Sequence, residues 1–158
     1  MTRVIVAGAA GRMGQRVIHM VQAHPGLQLA GAFEAAGSAA LGKDAGAISG
    51  LGETGVVITA GLESVIDRGD VLIDFTFHTA TVAFARLAAR NGLAMVVGTT
   101  GLSTEELAEI RTLAQAISPA CSRRTWPSVS TSCSNWWPRP LPCSATATTW
   151  RSSRPTTA

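Results

Sequence analysis

The sequence predicts an α/β protein built on a parallel, doubly wound sheet, followed by a tail of different character. Three observations carry that prediction. Short apolar, β-branched runs alternate with stretches of helical period. A glycine-rich turn, Gly8-Ala-Ala-Gly11-Arg-Met-Gly14, lies between the first run and the first helical stretch. All ten acidic residues fall between Glu34 and Glu109, whereas all four Trp, all three Cys and six of the seven Pro follow Ile117. Alternation of strands and helices at this spacing buries a parallel sheet between two helical layers.

Residues 2–7 form a continuous apolar run bounded by Gly8, the pattern of a buried strand. A helix follows, with Met13, Val17, Met20 and Val21 at helical spacing and Met13 in the core, and His24-Pro25-Gly26 stops it. Residues 27–33 make a second strand ending at Glu34. Residues 35–55 are rich in Gly and Ala without a strong period, and read as a long loop with a short helical turn. Strands are expected at 56–59, 71–75 and 93–97. A short helix is expected at 62–68, and a longer one at 79–91 with Val82, Ala83, Leu87 and Ala88 on one face and Gly92 as its stop. Ser103 followed three residues later by Glu106 is a capping box, opening a helix through Leu113.

Composition limits the function classes. The formal charge of +3 comes from the tail, where five Arg have no acid to balance them; the first 117 residues are slightly acidic. A nucleic-acid or membrane-surface reading would rest on the tail alone, and neither partner is expected. No leader-like segment precedes the first strand and no run approaches membrane-spanning length, so a cytoplasmic location is expected. Cys121, Cys133 and Cys143 match no zinc spacing and give no disulfide framework, so no metal site is expected.

The turn at residues 8–14 carries the chemistry. A strand, a glycine turn and a helix in that order present free N–H groups and a positive helix end to a pyrophosphate, and Gly14 lets the helix pack closely. Glu34 ends the second strand twenty residues later, where an acid accepts hydrogen bonds from ribose hydroxyls. This constellation defines a Rossmann-like dinucleotide-binding domain over residues 1–117. Arg12, inside the phosphate turn, faces the cofactor. Ala35 follows the acid, so no adjacent Arg awaits a 2′-phosphate, which tilts NAD or NADP toward NAD. A second turn, Gly98-Thr-Thr-Gly101, stands at the carboxyl edge of the sheet and can position a nicotinamide or a substrate. His78 reads as a loop or capping residue, with a cofactor contact as the lesser option; His19 and His24 read as surface residues, and Asp74 as structural.

Val4-Ile-Val-Ala-Gly-Ala-Ala-Gly-Arg-Met-Gly14, Leu41-Gly-Lys-Asp-Ala-Gly46, Val71-Leu-Ile-Asp-Phe-Thr76 and Val96-Val-Gly-Thr-Thr-Gly-Leu102 together resemble bacterial dihydrodipicolinate reductase, now called 4-hydroxy-tetrahydrodipicolinate reductase. The resemblance spans residues 2 to about 116. It implies that Gly8, Ala9, Ala10, Gly11, Arg12 and Met13 hold the pyrophosphate, Glu34 the ribose, and Gly98, Thr99 and Thr100 the nicotinamide side. It also implies an NAD(P)H-dependent reductase of lysine and diaminopimelate synthesis, a small cyclic dicarboxylate substrate and a homotetramer. The family often has Arg after the acid, and Ala35 departs from that pattern.

The family should continue past Ile117 with text close to Phe-Ala-Pro-Asn-Met. The chain instead reads Cys121-Ser-Arg-Arg-Thr-Trp-Pro-Ser-Val-Ser-Thr131. Back-translated and read one base out of phase, with two bases of each codon known, this stretch accommodates Phe-Ala-Pro-Asn-Met-Ala-Val-Gly-Val-Asn. Trp150 to Ala158 accommodates Glu-Ile-Val-Glu-Ala-His-His-Arg if both Arg codons begin with AG, which is the family's text around its catalytic His pair. A frameshift near Ile117 or Ser118 is therefore expected, in the gene or in its reported sequence. Residues 118–158 would then be an irregular, out-of-frame tail, probed by no apolar period, and no catalytic residue would be present. The alternatives are another Rossmann reductase of the semialdehyde-dehydrogenase or sugar-oxidoreductase type, a non-enzymatic nucleotide-binding fragment, and a nucleic-acid binder driven by the Trp- and Arg-bearing tail.

Overall fold

The computed structural model describes residues 1–117. The expected tail, 118–158, lies outside the described residues. Five strands form one parallel sheet: β1 (Thr2–Ala7), β2 (Leu27–Glu34), β3 (Ile58–Ala60), β4 (Val71–Asp74) and β5 (Ala94–Val97). Their order is β3-β2-β1-β4-β5, every pairing parallel. Helices α1 (Arg12–Ala23), α2 (Ala45–Ile48), α3 (His78–Asn91) and α4 (Thr104–Ile117) connect them, with 3-10 turns at Leu62–Ser64 and Ile66–Arg68.

The continuous apolar text of β1 follows from burial on both faces, the usual state of a central parallel strand. Successive side chains point to opposite faces. Val4 and Val6 join Ile18, Val21, Leu29, Ala32, Ile58 and Ile73 in the layer beneath α1 and α2. Ile5 and Ala7 join Phe33, Leu72, Val82, Ala85, Met95 and Ile110 in the layer beneath α3 and α4. The rings of Phe33 and Phe84 meet edge to face at 5.1 Å in that second layer.

The stop at Gly92 and the capping box at Ser103 are where the sequence put them, whereas the last helix runs to Ile117 rather than Leu113. Gly92 caps α3 in the left-handed region, with the Leu93 N–H returning to the Ala88 carbonyl at 3.0 Å. The capping box closes reciprocally: the Glu106 N–H donates to Ser103 Oγ at 3.2 Å, and the Ser103 N–H donates to Glu106 Oε2 at 2.8 Å.

Helix faces needed correction. Met13 is 48% exposed rather than in the core, and Met20 is exposed too. The buried row of α1 is Gly14, Ile18 and Val21, with Val17 packed at its margin. Gly14 is the reason: it brings the first turn against the backbone of residues 8–9, which centres the contact on 14, 18 and 21. On α3 the buried positions are Thr81, Val82, Ala85 and Ala88, and Ala83 is exposed. The expected helix at 62–68 is two 3-10 turns, and the strand expected at 56–59 starts at Ile58, because Val57 is bridged to Asp44 in the preceding loop. That loop holds the expected helical turn as α2, capped by the Asp44 carboxylate, which accepts from the N–H groups of Gly46, Ala47 and Thr54. The Thr54 N–H first of all draws the Asp44 pKa down to about 2.

Candidate functional site

Residues β1 to β3 wind toward one sheet edge, and β4 and β5 toward the other. The direction reverses between β1 and β4, and open α/β sheets bind ligands in the crevice at such a point. The turn at 8–14 leaves β1 on one side of it. Residues 75–77 leave β4 on the other, and the turn at 98–101 follows at the end of β5.

In the first turn, Gly8 takes a φ of +63°, a conformation that favours glycine. A Cβ added to Gly14 would stand 2.8 Å from Gly8 C and 2.9 Å from Ala9 Cα, so a side chain there would displace the turn itself. The Gly11 N–H donates to the Gly8 carbonyl at 3.0 Å, and the Gln15 N–H to the Gly11 carbonyl at 3.0 Å. A helix beginning at Arg12 leaves the N–H groups of its first turn without i−4 partners, directed out of its end. No acid lies in that first turn to offset its positive end. The Gln15 amide, which the sequence reading passed over, donates to the Ala10 carbonyl at 2.9 Å and stiffens the turn.

Glu34 reaches across this turn. Its Oε1 accepts from the Ala10 N–H at 2.9 Å and its Oε2 from the Ala35 N–H at 3.3 Å. A carboxylate has about four acceptor positions, so capacity remains for ligand hydroxyls. Arg12 and Met13 are both exposed at the mouth. The structure therefore brings residues 8–13 and Glu34 together in one surface. The space left by glycines without Cβ, the outward N–H groups and the adjacent carboxylate can accept an anionic group and neighbouring hydroxyls.

The second turn is held by side chains. Asp74 is fully buried. Its Oδ1 accepts from the Thr76 N–H at 2.9 Å and the Thr76 hydroxyl at 2.6 Å; its Oδ2 accepts from the Thr81 hydroxyl at 2.6 Å. Thr81 Oγ1 lies 2.9 Å from Thr99 Oγ1, and the Gly98 N–H donates to the Asp74 carbonyl at 2.8 Å. A side chain at Gly98 would run into the Phe75 ring, its Cβ 2.5 Å from Cδ1. Thr76 Cγ2 in turn packs beside Gly8, so this network touches both turns. Asp74 is structural, as read from the sequence. Its Asx turn to Thr76 has a short-range signal; its tie to Thr81 and Thr99 has none.

The histidines sit elsewhere. His78 opens α3, and its Nδ1 lies 2.8 Å from Glu106 Oε1, clamping α3 to α4. This bond is the first cause of a lowered Glu106 pKa. His19 is half-buried rather than on the surface, with Nε2 2.6 Å from the Ser49 carbonyl. His24 is exposed and accepts the Gly26 N–H. Among the described residues no three His, Cys, Asp or Glu side chains gather to hold a metal ion. No helix among them is long and apolar enough to cross a membrane.

Comparisons with known proteins agree with this geometry. The family model described as dihydrodipicolinate reductase, N-terminus, matches residues 2–123. The chain is 66% identical over 113 residues to a 4-hydroxy-tetrahydrodipicolinate reductase of Desulfotalea psychrophila, covering 72% of this chain and 42% of that protein. It is 44% identical over 117 residues to the reductase of the same name from Anaeromyxobacter dehalogenans, covering 74% and 43%. Among solved structures, the dipicolinate-bound dihydrodipicolinate reductase of Paenisporosarcina sp. TG-14 superposes with a TM-score of 0.60 at 26% identity, covering 74% of this chain and 44% of that one. The chain thus spans less than half the length of the curated relatives it matches. The matched span contains the whole described sheet, the glycine turn and Glu34, and the chain belongs to the dihydrodipicolinate reductase family as its N-terminal, nucleotide-binding region.

Proposed function

We propose that residues 1–117 form the cofactor-binding half of an NAD(P)H-dependent 4-hydroxy-tetrahydrodipicolinate reductase, acting in lysine and diaminopimelate synthesis. The observation that carries the reading is the Glu34 carboxylate bonded at 2.9 Å to the Ala10 N–H, which sets a ribose acceptor beside the phosphate turn. Gly8, Ala9, Ala10, Gly11, Arg12 and Met13 surround the pyrophosphate, with N–H groups and the Arg12 guanidinium opposite its charge. Glu34 accepts the ribose hydroxyls, and Gly98, Thr99 and Thr100 border the nicotinamide. The bound cofactor supplies hydride. The residues here bind and orient it and position no acid.

A neutral Ala35 beside Glu34 offers a 2′-phosphate no cation and leaves it facing a carboxylate, so NADH is preferred over NADPH. Residues 118–158 are the family's continuation read one base out of phase. The 158-residue polypeptide therefore binds dinucleotide and lacks the segment with the catalytic His pair, the cyclic dicarboxylate site and the means of turnover. The frame-restored protein reduces substrate.

Calorimetric titration of the 158-residue chain with NADH and NADPH tests the first part; absence of binding by both defeats it. An assay of the same polypeptide tests the second, and measurable turnover defeats it. Direct sequencing across the codons for Ala116 to Ala120 tests the frame.

A further inference from the structure

We infer that Asp74 is a positioning residue that fixes the hydrogen-bond polarity of Thr99, so that Thr99 presents an acceptor, never a donor, to the amide of a bound nicotinamide. This rests on the dinucleotide reading above and specifies one contact within it.

A proton count leads there. Each Thr hydroxyl has one proton and two lone pairs. Asp74 Oδ1 is occupied by two donors from Thr76, its N–H at 2.9 Å and its hydroxyl at 2.6 Å. Thr81 Oγ1 has three acceptors in reach: Asp74 Oδ2 at 2.6 Å, Thr99 Oγ1 at 2.9 Å and the Phe77 carbonyl at 3.2 Å. Its single proton goes to the carboxylate, the shortest of the three and the one whose acceptor carries charge. The Phe77 carbonyl already accepts the Thr81 N–H at 3.0 Å.

Thr81 Oγ1 then faces Thr99 with a lone pair. The Thr99 proton has two inward acceptors, Thr81 Oγ1 at 2.9 Å and Asp74 Oδ2 at 3.4 Å. Both choices turn the proton into the protein. Asp74 and Thr81 are fully buried, so no solvent competes at that end, while Thr99 is half-buried at the end of β5. What Thr99 offers outward is an oxygen lone pair. A primary carboxamide, with its N–H donors, matches that; a methyl ketone does not.

The test compares binding of NADH and of reduced 3-acetylpyridine adenine dinucleotide, which replaces the carboxamide NH2 by CH3, to the 158-residue chain. One lost hydrogen bond predicts binding of the analogue roughly three- to tenfold weaker than NADH. Asp74→Asn keeps the shape and reverses polarity: the Thr76 N–H requires the amide oxygen at the Oδ1 position, so the amide NH2 donates to Thr81; the Thr81 proton then turns to Thr99 Oγ1 at 2.9 Å, nearer than the Phe77 carbonyl at 3.2 Å, and the Thr99 proton is released outward. The gap between the two dinucleotides should then close to within about twofold. Thr99→Val should close it as well, and Thr99→Ser should keep it, two readings that do not depend on Asp74→Asn folding. Equal binding of both dinucleotides by the unaltered chain overturns the inference, as does an undiminished gap in Asp74→Asn or in Thr99→Val. Absence of NADH binding altogether removes the cofactor reading, and this inference with it.

Discussion

The turn at 8–14 is assembled from residues adjacent in the chain, whereas the turn at 98–101 is held by side chains from β4 and α3. The first is a backbone device. Its geometry comes from Gly8 at positive φ and from a helix start that only a residue without Cβ permits at position 14. The second is a side-chain device, in which one buried carboxylate takes up three donors and reaches Thr99 through Thr81. Local glycines can set where phosphates lie. Setting which way a hydroxyl proton points takes a network whose members meet only after folding.

Substitutions should separate the two devices by size of effect. Gly14→Ala drives a methyl group into the backbone of residues 8–9. It should cost about 3 kcal/mol in chemical denaturation and abolish NADH binding. Retained binding would mean that the turn can yield. Asp74→Ala strands the Thr81 hydroxyl in a dry interior, takes the acceptor from the half-buried Thr76 donors and should cost about 2–3 kcal/mol. If the comparison holds, its residual dinucleotide affinity exceeds that of Gly14→Ala, because the glycine turn is intact. Ser103→Ala removes one half of the capping box beside the second turn and should cost about 1 kcal/mol, read from the same transition.

Acid should act through carboxylates that belong to neither turn. The Asp44 pKa is lowered to about 2 in the folded chain, so its contribution is complete above the ordinary carboxylate pKa of about 4 and is lost as pH falls toward 2. Glu106, lowered chiefly by its bond to His78, adds loss with the same sign. The thermal midpoint should fall over that window, and Asp44→Asn should flatten the profile. The smallest effect is expected for Arg86→Ala. The Arg86–Glu109 pair is exposed between α3 and α4, and surface pairs of this kind contribute little. No resolvable shift in the midpoint is expected, and a clear one would show that the two helices depend on that pair.

Much of the first turn was legible because its signals are local. A strand, three glycines, a helix and an acid follow one another between residues 2 and 34, and each has a short-range reason to be there. The capping box at 103–106 was legible on the same ground. Helical period leaves open which row of α1 faces the sheet; close packing at Gly14 selects 14, 18 and 21 over the row through Met13 and Met20. His19 lost its surface assignment for a comparable reason: the Ser49 carbonyl that partners it comes from a loop thirty residues away.

The order of strands and helices, the stop at Gly92 and the glycine turn at 8–14 were determined by the sequence alone, because backbone propensity, capping and glycine geometry act over a few residues. Tertiary structure decided which rows of α1 and α3 are buried, how Glu34 lies across the turn, and how Asp74, Thr81 and Thr99 share their protons. Those outcomes require residues from separate strands and helices to arrive at hydrogen-bond distance, and only the packed sheet brings them there.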